Sequence, residues 1–259
     1  MNPSMPTIPQ AIGLAYRDLA AVARELSTLV LVAFVVVGSA RFPVSWLTAS
    51  LPPRSSASLL IVFVSGLVVT FLLTPYFIAV HRLIILAEAR SGYALDPWNA
   101  RFQYYFTLWA AFSAATAAPM FVLRVWTIER IVAEVLFANI VLALTMAWVI
   151  AVMVAGLRLL ALFPAIAVDA PGANIRNALA DSRGNAWRIF AIAFLAALPI
   201  MLLGALVQAM AARGAGGGPV GVVVHAAAEG VVGTIELTIF VVVASRLYLW
   251  LANRMNQRD

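Results

Sequence analysis

VVVHAAAEGVVGTIELTIF, residues 222–240, decides how the whole chain is read. Its length and apolar content are those of a helix crossing a bilayer, whose hydrocarbon core of about 30 Å takes about 20 residues. Yet His225, Glu229 and Glu236 lie inside it. At about 100° per residue, Glu229 falls about 40° and Glu236 about 20° from His225 around the helix axis, so all three share one stripe. Such a stripe avoids lipid, because an acidic residue at the centre of a membrane helix costs roughly 2.5–3.5 kcal/mol on insertion scales. The stretch reads as a span with one polar face.

The remaining sequence agrees with a membrane chain. Of 259 residues, 64% are hydrophobic and 11% charged, against about a quarter charged in soluble domains. Six stretches are long enough to cross: 27–49, 57–80, 103–123, 131–157, 189–211 and 220–245. They predict an all-α polytopic membrane protein, six transmembrane helices arranged as three hairpins within a single integral membrane domain. Residues 1–26 form an interfacial helix, followed by hairpins at 27–80, 103–157 and 189–245. Connectors at 81–102 and 158–188 and a tail at 246–259 complete the chain. Gly38-Ser39-Ala40 resembles a signal-peptidase site, but the region before it is long and weakly charged, so it is read as part of the first span.

All 17 basic side chains are arginine. In this threading 12 fall on the side of both termini and five on the other, and positive loops stay in the cytoplasm, so both termini are expected there. Trp98, Tyr104, Tyr105, Trp187, Tyr248 and Trp250 fall at the inner boundary and Trp46 and Trp126 at the outer one, where amphipathic rings prefer to lie. The net charge of +6 comes without any basic run, which argues against nucleic acid as a partner. The bilayer is the expected partner, with anionic headgroups at the cytoplasmic arginines. Without lysine or cysteine the chain forms no Schiff base, disulfide, thiolate or prenyl link.

A spacing runs through the boundaries. Arg24 to Arg82, Arg101 to Arg158 and Arg188 to Arg246 are nearly equal intervals, and HRLIILA (81–87), LRLLALF (157–163) and SRLYLWL (245–251) end the three hairpins. Triplication would give this, and so would arginines that snorkel at the ends of equal hairpins. Segments 11–26 and 174–189 read as amphipathic helices; in the second, Ile175, Leu179, Ala186 and Ile189 share one face. Pro75, Pro119 and Pro199 lie within spans, and each removes an intrahelical hydrogen bond, so kinks are expected.

Residues 158–190, RLLALFPAIAVDAPGANIRNALADSRGNAWRIF, carry a pattern: an arginine-led helix end, Pro-Ala, a turn, a helix with Ala-Leu and Ser, then Gly, an aromatic and another span. The positions are Arg158, Pro164, Ala165, Ala178, Leu179, Ser182, Gly184, Trp187 and Arg188, with Ser245, Arg246 and Tyr248 near the end. This resembles the YciC-like bacterial polytopic proteins and the membrane domain attached to some glycerophosphodiester phosphodiesterases. The resemblance implies a multi-pass bacterial cytoplasmic (inner) membrane protein with no assigned chemistry, catalysis in the fused enzymes belonging to a separate soluble domain. The motif also has a structural account: Pro164 ends the fourth span, DAPG (169–172) turns, and the amphipathic segment docks before the chain re-enters the bilayer.

For the stripe of His225, Glu229 and Glu236, several readings stand. Glu236 is a neutral acid bonded to a neighbouring helix, or GAGGGPVG (214–221) lets the span slide so that His225 and Glu229 lie in the outer headgroup region and only Glu236 is deep, or the three groups serve a proton or cation path. Arg213 or Arg130 is a candidate partner at the outer end, Arg24 or Arg188 at the inner. His-x-x-x-Glu gives two metal ligands, but His81 is expected at the opposite interface, so no metal site is assigned. The sequence carries no HExxH, GxSxG, P-loop or dinucleotide fingerprint, and no catalytic residue or cofactor is assigned. The expectation is a non-enzymatic protein in a membrane-support or partner-binding role, toward another membrane protein or its own copy. The alternative is a small secondary transporter or lipid-handling carrier using Glu229 and Glu236.

Overall fold

The computed structural model describes residues 6–49, 51, 55–89, 92–130, 135–212 and 219–257, with side chains except at 41–43, 45–46, 48–49, 124–130, 135–138, 211–212, 219–222 and 225. Among these residues there are nine α-helices and no strand: α1 Ile8–Glu25, α2 Ser27–Ala49, α3 Ser56–Leu86, α4 Ala100–Arg130, α5 Val135–Leu159, α6 Leu162–Ala167, α7 Ile175–Asp181, α8 Ala186–Ala212 and α9 Pro219–Leu251. A 3-10 turn, Arg254–Asn256, follows. Helices α3, α4, α5, α8 and α9 are each long and apolar enough to cross a membrane, and the pair α1 and α2, bent by 97°, qualifies together as a sixth. The chain is an all-α polytopic protein.

Helix starts follow local chemistry. Thr7 and Gln10 form a reciprocal capping box before α1, with Pro9 in the first turn, where its missing N–H has no intrahelical partner to lose. Ser55 accepts from the Ser58 N–H at α3, and Asn174 from the Asn177 N–H at α7. Along α1, Ala11, Ala15, Asp18 and Val22 are buried, the four-three-four spacing of one helical face.

The hairpins α2/α3, α4/α5 and α8/α9 pack side by side, and α9 is central, touching α1, α2, α3, α6 and α8. Small residues allow the closest approach: a Cβ added to Gly230 would lie 3.1 Å from the Gly38 Cα of α2, so the two backbones need glycine there. Helix α5 is the opposite case. None of its described side chains is buried, and Leu142, Leu144, Met146 and Ile150 are among its exposed residues. Hydrocarbon tails are as apolar as leucine, so this exposure carries no penalty in a membrane.

Each in-span proline has a side-chain donor from another element within the turn before it. Without an amide proton, Pro119 leaves the Ala115 carbonyl free, and the Trp148 indole of α5 donates to it at 2.9 Å. One turn before Pro75 the Leu72 carbonyl accepts from the Tyr93 hydroxyl at 2.9 Å, and one turn before Pro199 the Ala196 carbonyl accepts from Tyr16 at 2.8 Å. Burial pushes the Tyr93 hydroxyl above its ordinary range, which keeps it a donor. At Pro119 a neighbouring helix thus satisfies the carbonyl that the proline releases, while Tyr93 and Tyr16 add a bond one residue beyond the carbonyls that Pro75 and Pro199 free.

Arginines tie the non-spanning segments to the helix ends. Arg82 bonds Glu88 at 2.7 Å and the Ala167 carbonyl at 3.2 Å, and Arg101 pairs with Asp169. Arg158 donates to the Leu179 carbonyl at 2.6 Å, Arg188 to the Pro6 carbonyl, and Arg246 to both Asp18 oxygens. The arginines of the three hairpin-ending phrases therefore each hold a connector or α1.

Two expectations are corrected. Pro164 does not end the fourth span: α5 stops at Leu159, and Pro164 sits in the first turn of α6, where an absent N–H costs no helical bond. Segment 174–189 is not one amphipathic helix. It breaks at 182–185, where Gly184 takes φ +79°, a conformation glycine adopts without steric cost. Ile175 is consequently exposed while Ile189 belongs to the core under α8.

Candidate functional site

Polar side chains of α9 fall on two opposite faces. Thr234, Thr238 and Ser245 lie about 180–220° around the helix from His225, at the 100° step of an α-helix. All three are buried. Each hydroxyl donates to the carbonyl four residues earlier: Thr234 to Gly230 at 2.7 Å, Thr238 to Thr234 at 2.6 Å and Ser245 to Val241 at 3.0 Å. With their protons spent locally, the Thr238 and Ser245 oxygens accept from across the interface. The buried Tyr76 hydroxyl of α3 donates to Thr238 at 2.6 Å.

His81, fully buried on α3, bridges three helices: its Nδ1 lies 2.7 Å from the Ser245 oxygen and its Nε2 3.0 Å from the Tyr105 hydroxyl of α4. Because Ser245 donates to Val241, Nδ1 carries the proton and Nε2 accepts from Tyr105, an assignment made from the network. A neutral imidazole completes every bond. No buried side-chain nitrogen or oxygen among the described residues lacks a partner, and this interior network is closed on itself.

The carboxylate face is built differently. Glu229 and Glu236 are half-buried and line a cavity of about 250 Å³ whose other walls are Met201, Gly204, Ala205, Val207 and Gln208 of α8 with Val232 and Gly233 of α9. Only two helices wall it. Gln208 donates its amide to Glu229, whereas Glu236 makes no hydrogen bond or ion pair among the described residues. Small residues line it, Gly204, Ala205 and Gly233; a Cβ on Gly204 would lie 3.2 Å from Val232 and one on Gly233 3.0 Å from Val37 of α2. Leu202, Leu203, Leu206 and Val231 nearby are exposed, so the groove faces sideways out of the bundle.

The sequence-derived stripe is thus seen at two of its three members, since the His225 side chain lies outside those described. Arg213 and the side chain of Arg130 also lie outside. Arg24 bonds Glu25, and Arg188 bonds the Pro6 carbonyl. The described residues contain no group of three His, Cys, Asp or Glu able to hold a metal.

The motif residues of 158–190 and the tail make a separate assembly. Arg158 and Ser182 both donate to the Leu179 carbonyl, closing the end of α7. Trp187 is 77% exposed and packs on Phe190. Asp181 accepts from the backbone N–H groups of Asn253, Arg254 and Met255, and Gly172 fits under the tail where a Cβ would lie 2.4 Å from the Arg254 carbonyl oxygen. These contacts organise backbone and offer no reactive group. Comparison with family models, with characterised proteins and with solved structures finds no match to this chain.

Sequence reading missed the hydroxyl face. Its signal was present: Thr234, Thr238 and Ser245 recur at intervals of four and seven, opposite the carboxylates.

Proposed function

We propose that this is a non-enzymatic membrane protein whose α8/α9 groove receives a partner's transmembrane helix through Glu236. The observation that carries this reading is a half-buried carboxylate in a lateral groove, unbonded by any described residue and flanked by Gly204, Ala205 and Gly233. Small residues let a second helix approach, and a carboxylate at membrane depth demands a donor. The occupant is a helix carrying a basic or amide side chain at that depth. By contrast, every buried side-chain nitrogen and oxygen among the described residues already has a partner. The YciC-like resemblance of 158–190 and the 12-to-5 division of arginines support placing the chain in a bacterial cytoplasmic membrane with both termini inside.

The test is a photocrosslinking residue at Leu203 or Ala205 in native membranes, with and without Glu236→Gln. A single stoichiometric adduct weakened by Glu236→Gln is expected, and purified protein in liposomes is expected to conduct neither protons nor solutes. Flux that Glu236→Gln abolishes would replace this reading with a carrier.

A further inference from the structure

We propose a second site, independent of the groove, that holds one acyl chain of an anionic phospholipid in the slot beneath α1. The slot, open on one side past the exposed Ala20 and Ala23, offers about 260 Å³ between α1, α2, α3 and α9. Leu19, Val22, Ala23, Val30 and Ile235 give it apolar walls. Its hydroxyls are already committed: Tyr16 donates to the Ala196 carbonyl, Tyr76 to Thr238, Thr238 to the Thr234 carbonyl and Thr234 to the Gly230 carbonyl. A polar ligand finds no free proton there. An apolar cavity of about 150 Å³ is enough to bind benzene, so a length of hydrocarbon chain fits this one.

The α1–α2 elbow makes the slot. The two helices turn through 97° at Leu26, which keeps α1 from packing flat along α2 and leaves space between Ala23 on one side and Val30 on the other. Lipid is the apolar molecule that surrounds a membrane bundle. Moving a chain from lipid into the slot gains no hydrophobic free energy; the gain is the dispersion contact that an empty slot forfeits.

Charge selects the headgroup. Arg17 and Arg24 fall within about 60° of the slot residue Ala20 on the helix projection. Arg17 is exposed and makes no ion pair or hydrogen bond among the described residues, while Arg24 has only the exposed Glu25. The other arginines named at the helix ends, Arg82, Arg101, Arg158, Arg188 and Arg246, already bond protein groups. Basic side chains near a membrane surface attract anionic lipid, so an anionic headgroup over Arg17 and Arg24 orients the tail inward.

The full chain is reconstituted in phosphatidylcholine liposomes doped with phosphatidylglycerol or phosphatidylcholine bearing a diazirine in one acyl chain, then irradiated and mapped by mass spectrometry. Labelling of 16–30 is expected about fivefold above labelling of the exposed α5 face, and stronger with the anionic probe, a difference of about 1 kcal/mol. Ala23→Phe, which fills the slot, should remove the excess and leave α5 labelling unchanged. Ala20→Leu serves the same purpose if Ala23→Phe does not yield monodisperse protein. Arg17→Gln with Arg24→Gln should erase the headgroup preference and retain slot labelling. Equal labelling of slot and α5, an excess that survives filling, or a headgroup preference that survives loss of both arginines would overturn the proposal.

Discussion

The two faces of α9 carry three polar residues each and have opposite fates. Thr234, Thr238 and Ser245 are sunk against α3, whereas Glu229 and Glu236 sit at the edge in a groove shared with α8. The difference lies in what each group needs. A hydroxyl on a helix satisfies its proton with the carbonyl one turn back and retains an acceptor for a neighbour. An ionised carboxylate is acceptor-only and carries a charge whose burial costs far more. Polar groups that finish their own bonding go inward, and those that need a donor stay where one can arrive.

Exchanging the faces gives the largest expected effect. Thr238→Glu sets a carboxylate against Tyr76 in the interior and should lower stability by about 3 kcal/mol, read from unfolding in detergent; a change below about 1 kcal/mol breaks the distinction. His81→Leu removes the bridge between α3, α4 and α9 and orphans the Tyr105 hydroxyl, for an expected loss of about 2–3 kcal/mol in the same measurement. Thr238→Val keeps the shape and leaves the Tyr76 hydroxyl without its acceptor, costing about 1–2 kcal/mol. Adding Tyr76→Phe should recover most of that, and a double-mutant cycle with no coupling would show that the bond does not hold the helices. Glu236→Gln comes last. Glu236 meets no donor among the described residues, so stability should move by less than about 0.5 kcal/mol while partner crosslinking falls.

How far the sequence could be read follows the same division. Spans were legible because hydrocarbon demands long apolar runs: 189–211 corresponds closely to α8, 57–80 to the first part of α3, which runs on to Leu86, and 27–49 to α2, which qualifies as a span only together with α1. Glu229 and Glu236 stood out as charges in such a run. Their neighbour Gln208 did not, because which helix meets α9 depends on packing that periodicity does not encode. The hydroxyls went unnoticed because Thr and Ser cost little in a membrane helix and give no contrast. Pro164 was misplaced for a local reason: it ends helices in general, but a tolerated first-turn position looks identical in sequence. The arginines were read as headgroup anchors, yet Arg246 closes on Asp18, 228 residues earlier in the chain. No local pattern announces a pairing that distant.

The donors beside the three in-span prolines have a consequence for the order in which the molecule is made. Synthesis runs from the amino end. Tyr16 emerges long before Pro199, so α8 enters the bilayer with its brace already waiting. Pro75 and Pro119 precede Tyr93 and Trp148, so α3 and α4 are made before their donors. A ribosome stalled shortly after residue 86 would thus leave a third helix whose Leu72 carbonyl still awaits its hydroxyl.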